Sequence, residues 1–142
     1  MSDAEYKLGD EIMAGDFKWK LIKYTTESQI GDDLGNTFFG VKADGQFLII
    51  DVEVENIGKS AQILSDSYVK LIDDKGREFS ADTTAAIYLK PTGSALAFDT
   101  INPGIIKKGK IVFDVPSGLK IVKIRVASNL LSDTFYNVKL FS

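Results

Sequence analysis

Asp32-Asp33 and the run Asp73-Asp74-Lys75-Gly76-Arg77-Glu78 are two places where this sequence gathers carboxylates closely enough for chemistry. Paired carboxylates can serve as general acid and base, and calcium takes oxygen ligands of this kind. Nucleophilic catalysis through a Ser-His-Asp or Cys-His arrangement has no material here, because the 142 residues include no His and no Cys. The same absence removes disulfides and every thiolate or imidazole metal site. A carboxylate pair, a Ser-Lys dyad or a metal held by oxygen alone are the chemistries left.

Both acidic clusters have a plainer account. Asp32-Asp33 falls in the Gly31–Gly35 stretch, inside a polar run, Gln29–Thr37, that reads as a mobile loop joining two strands and able to cover a site. The Asp73 run lacks the Asp-x-Asp-x-Asp order and the distant bidentate Glu of a helix-loop-helix calcium site. Lys75 and Arg77 within it would repel a cation, so a hairpin turn with Gly76 at the strained position is expected. No catalytic residue, metal ligand or cofactor is assigned.

Other residues point to contact rather than catalysis. Lys107, Lys108 and Lys110 form a basic cluster that could meet an anionic surface, though a solubilising loop accounts for it as well. No aromatic residues interleave with these lysines, and the net charge is −3 from 20 acids and 17 bases, so nucleic acid is not an expected partner. Phe38-Phe39 places adjacent rings on opposite faces of any strand, so one must leave the main core, to be covered by the Asp32 loop or to mark an interface. Asp51, Glu53 and Glu55 share one strand face. Lys123 and Arg125, on a polar face of their own strand, are expected as their cross-strand partners; the alternative is that the acid strip binds a cationic partner.

The elements that must position these residues follow a period of two. Phe17, Trp19 and Leu21 alternate with lysines, and Leu48, Ile50, Val52 and Val54 alternate with Ile49, Asp51, Glu53 and Glu55. The pattern returns at Val69–Leu71, Ile111–Val115, Val122–Val126 and Tyr136–Leu140, as half-buried antiparallel strands require. Asp44-Gly45, Asn56-Ile57-Gly58, Asn102-Pro103-Gly104 and Pro116-Ser117-Gly118 supply turns between them. A helical turn fits near Thr83–Leu89. Asn56 can bond its own backbone and Gly58 can take positive φ to end the long strand, while Pro103-Gly104 suits a type II turn. Chain length and the lack of a Pro/Gly/Ser linker lead to the expectation of one domain over residues 1–142, an all-β sandwich. The longest apolar runs are too short to cross a membrane as a helix, and Met1–Glu5 has no basic start followed by an apolar stretch, so no secretory leader is expected there.

The ordered pieces Gln46–Gly58, Val69–Phe79, Ile101–Gly104 and Gly109–Pro116, with Leu8-Gly9-Asp10 ahead of them, resemble a family of immunoglobulin-like domains of unknown function. That family occurs in secreted and lipid-anchored bacterial proteins and is similar in fold to the mycobacterial immunoprotective extracellular antigens. The resemblance runs from about Tyr6 to about Ala127; it implies an antiparallel immunoglobulin-like sandwich, an extracytoplasmic setting and a binding role, and it supplies no catalytic residues. This chain departs from it in carrying no leader or lipid-bearing Cys and in adding a final strand at Thr134–Phe141. Three functions stand at this stage. The first is a non-catalytic extracytoplasmic module for an unknown protein or cell-surface ligand; a cytoplasmic location is the alternative. The second is a carboxylate- or calcium-dependent enzyme or accessory domain, and the third a structural surface spacer.

Overall fold

A computed structural model describes residues 5–91, 93–96, 98–127 and 135–140. The expected features at Met1–Asp3, Thr134 and Phe141 lie outside the described residues. Eleven strands form among those described: β1 Glu5–Lys7, β2 Glu11–Ala14, β3 Phe17–Leu34, β4 Thr37–Asn56, β5 Gln62–Leu64, β6 Val69–Asp73, β7 Glu78–Phe79, β8 Asp99–Ile101, β9 Ile106–Val115, β10 Ile121–Ala127 and β11 Phe135–Lys139. A short helix, α1, spans Thr83–Ala86. One sheet has the order β2-β3-β4-β9, a second has β1-β11-β10-β6-β7, and β5-β8 make a small third sheet. Pairing between these strands is antiparallel except where β1 runs parallel to β11, and an isolated parallel bridge joins Ala95 to Lys110 of β9.

The alternating positions account for the sandwich. Trp19, Leu21, Ile50, Val52, Val54, Ile111 and Phe113 of the four-stranded sheet pack with Val69, Leu71, Ile124, Val126 and Val138 of the other in one buried cluster. Each such aliphatic side chain contributes about 1.5–3 kcal/mol by leaving water. Asn56 is fully buried and fully bonded. Its amide donates to Ser60 and Ile101 carbonyls at 2.9 and 2.8 Å, and its Oδ1 accepts from Gly58 N–H at 2.8 Å. Gly58 does not need positive φ, contrary to expectation; a Cβ there would meet the Asp16 side chain at 2.8 Å, so space is what glycine provides. At Asn102-Pro103-Gly104 the expected type II geometry is present, with Gly104 at φ 82° and Ile105 N–H donating to the Asn102 carbonyl.

Two irregularities in β3 redirect the chain. Between Leu21 and Lys23 the register with β4 shifts, so core-facing positions pass from Phe17, Trp19 and Leu21 to Tyr24 and Thr26. A second shift lies between Glu27 and Gln29, opposite Ala43–Gln46. Asp44-Gly45 is therefore a kink within β4 rather than a turn before it. The Asp114 carboxylate holds this kink by accepting from the N–H groups of Asp44 and Gly45 at 2.8 and 3.0 Å.

Candidate functional site

β3 and β4 outrun their neighbours. β2 pairs with β3 only along Phe17–Lys20, and β9 pairs with β4 only along Gln46–Glu55, so the distal part is a two-stranded arm whose edges meet no further strand among the described residues. The expected mobile loop at Gln29–Thr37 is instead paired strand, with Gln29 opposite Lys42, Gly31 opposite Gly40, Asp32 opposite Phe39 and Asp33 opposite Phe38. Facing glycines make this close pairing: a Cβ on Gly31 would sit 2.2 Å from the Phe39 carbonyl oxygen, and one on Gly40 2.1 Å from that of Ile30. The Phe38 ring lies over Gly40, where a Cβ would meet its Cζ at 2.8 Å.

Opposed residues share a face, so Ile30, Asp32, Leu34, Phe39 and Val41 stand on one side of the arm and Asp33 and Phe38 on the other. Both phenylalanines leave the sandwich core, rather than one. No Asp32 loop covers Phe39; Asp32 is its cross-strand neighbour. Phe39 remains 56% exposed and Leu34, near the tip, 61%.

Nearer the body, the same face is covered. The Asp82 carboxylate caps α1 by accepting from Ala85 N–H at 2.9 Å. The segment then lays Ala85 and Leu89 onto Ile30, Phe47, Ile49 and Val112 as a second buried cluster. Lys90 reaches the Asp32 carboxylate at 2.8 Å, and Ile87 and Tyr88 between them stay exposed. The helical turn expected near Thr83–Leu89 carries no motif that marks Ile87, Tyr88, Leu89 or Lys90 as part of a site. A signal was present in Phe47-Leu48-Ile49-Ile50, since four consecutive apolar residues in a strand mean that both faces are covered.

The other half of this outer face is a charged band. Lys18 lies 3.3 Å from Glu11 and 3.2 Å from Glu55, Lys23 3.8 Å from Asp51, Lys108 3.5 Å from Glu53 and Lys110 3.7 Å from Asp51. Lys123 and Arg125 are not the partners of these acids, because β10 belongs to the opposite sheet. Arg125 instead pairs with Glu78 at 2.6 Å and lies over the Phe135 ring. Hydrogen bonds to Glu55 and Glu11 raise the Lys18 pKa.

The lysine cluster is strand, not loop. Strand alternation sends Lys108 and Lys110 to the charged band and Lys107 to the reverse face, where it meets Asp99 at 3.1 Å and lowers that acid's pKa. Lys108 and Lys110 each face a β4 acid.

Asp73 belongs to its turn. Its buried carboxylate accepts from the N–H groups of Lys75 and Arg77 at 2.9 and 2.8 Å and from Arg77 Nε at 2.6 Å. Burial pushes its pKa up, but the bonds from Arg77 and Lys75 outweigh this and leave it below the ordinary carboxylate value. The oxygens that a cation would need are thus occupied by donors. Among the described residues no three His, Cys, Asp or Glu side chains gather as a metal cage.

Solved structures share this architecture. The YjhA protein from Bacillus subtilis matches with a TM-score of 0.72 at 22% identity, covering 96% of this chain and 99% of that one. MPT63, a secreted protein from Mycobacterium tuberculosis, matches at 0.64 and 19%, covering 95% and 98%. A putative lipoprotein (YcdA) from Bacillus subtilis matches at 0.63 and 15%, covering 95% of this chain and 39% of its own. At these identities the likeness establishes the β-sandwich fold. No curated protein matches the chain at a significant level. The family model described as Domain of unknown function (DUF4352) matches residues 6–137, and the chain, an immunoglobulin-like sandwich, belongs to that family.

Proposed function

We propose that this chain is a single, non-catalytic interaction domain working outside the cytoplasm, with the arm tip as its contact surface for a protein or cell-surface ligand. The observation that carries this reading is the exposure of Leu34 and Phe39 on one face of an arm whose edges meet no further strand among the described residues. Large apolar side chains presented this way cost solubility and mark interaction sites, and open strand edges offer main-chain donors and acceptors to a partner. Exposed Ile87 and Tyr88, on the segment that braces the arm, extend the apolar character. The extracytoplasmic setting draws support from a secreted protein and a putative lipoprotein among the structural neighbours. No helix among the described residues is long and apolar enough to cross a membrane.

Site-specific photocrosslinking in the native host tests the reading. A crosslinker at Phe39 should trap a defined partner that one at Lys123, on the opposite sheet, does not, and Leu34→Ser should abolish the adduct without lowering the melting temperature. Equal adducts from both positions, or none from Phe39, would reject the arm as the contact surface. Fractionation of the same cells checks the compartment: signal confined to the cytosol would reject the extracytoplasmic part.

A further inference from the structure

Where the two sheets part beneath the turn that joins β9 to β10, a cleft of about 360 Å³ opens into the sandwich. The shift in β3 after Leu21 creates one wall by turning Tyr24 and Thr26 toward the core side. The floor is the core itself. Leu48, Val115 and Ile121 retain 5%, 5% and 4% exposure, whereas Ile50, Phe113 and Ile124, further along the same strands, have 0%, so solvent reaches the core through this opening.

Leu119 and Leu140 complete an aliphatic lining, with Tyr24, Thr26 and Gln46 supplying hydrogen-bonding groups. Lys120 is the one charged lining residue; it is exposed and has no salt-bridge partner among the described residues. Ligand sites combine such apolar walls with a few placed polar groups and occupy roughly 300–1,000 Å³. We propose that the cleft binds a small free amphiphile, its alkyl or aryl body against Leu48, Val115, Leu119 and Ile121 and its carboxylate on the Lys120 ammonium. The site is separate from the arm, so either can fail without the other.

Titration of the ¹⁵N-labelled chain with decanoate, below its micelle concentration, tests this. Saturable shifts are expected at the amides of Thr26, Gly118, Ile121 and Leu140, with affinity falling about three- to fourfold for each methylene removed toward octanoate. Decyltrimethylammonium, the cation of equal chain length, should bind at least about tenfold more weakly. Lys120→Glu, at an exposed position, should weaken decanoate about tenfold and leave decanol unchanged. Thr26→Phe should fill the cleft and abolish both, while Phe39→Ser on the arm should leave decanoate binding intact. Absence of saturable shifts into the millimolar range overturns the proposal, as does equal affinity for the cation. Unchanged decanoate affinity in the Lys120→Glu chain overturns it too. So does binding to anionic phosphatidylglycerol vesicles with no response to free decanoate.

Discussion

The outer face of the four-stranded sheet is two surfaces with opposite chemistry. Near β2 and the first half of β3 it is a band in which acids of β4 lie between lysines of β3 and β9. Toward the arm it is apolar, partly covered by Ala85 and Leu89 and then left bare at Leu34 and Phe39. The band pairs each of its β4 acids with a lysine. The arm does not satisfy itself. An isolated two-stranded ribbon is marginal in water, and this one is braced by Leu89 and Lys90 only along part of its length. Charges on this sheet find partners within it, whereas the apolar surface of the arm does not, and it is there that the contact surface is proposed.

The largest effect should come from breaking the cover. Leu89→Ala empties a fully packed position, with an expected cost of about 2–5 kcal/mol in urea unfolding and faster amide exchange over Gln29–Lys42. If stability holds and the arm amides stay protected, the brace is not what orders the arm.

Acid titration probes the buried carboxylate of Asp73. Its folded pKa lies below the ordinary 3.8, so the folded state binds fewer protons there. Its contribution is complete above that value and fades as pH falls through the lower folded pKa. Asp99, lowered by Lys107, acts in the same direction. Asp73→Asn should lower the urea midpoint at neutral pH and flatten the acid limb; an unchanged limb would show that Asp73 does not set it.

Reversing a band charge should do less. Lys108→Glu is expected to change stability by no more than about 1 kcal/mol, with the difference shrinking in about 1 M salt. A larger, salt-resistant loss would show the band to be structural. Smallest of all is the stability change for Phe39→Ser, within about 0.5 kcal/mol, although the same substitution should remove the partner adduct at the arm. Strong destabilisation would place Phe39 in the fold rather than in an interface.

Residue types by themselves determined a good deal. The lack of His and Cys closed off whole classes of chemistry, and the period-two pattern holds at Ile50–Val54 and Ile124–Val126, whereas a register shift between Ile121 and Lys123 puts Ile121 rather than the expected Val122 in the core. Asn56 and Pro103-Gly104 carried their turns in their own covalent structure. These are local properties, set by side-chain alternation and by what one residue can bond within a few neighbours. Tertiary structure decided the rest: that Asp51 and Glu53 meet lysines of β9 rather than Lys123 and Arg125, and that Gln29–Thr37 is arm and not loop. It also decided that Leu89 roofs Phe47 and that the sheets part at Tyr24. Strand partners and register are non-local, and a one-residue shift such as that after Leu21 moves every later side chain to the other face without leaving a mark in composition.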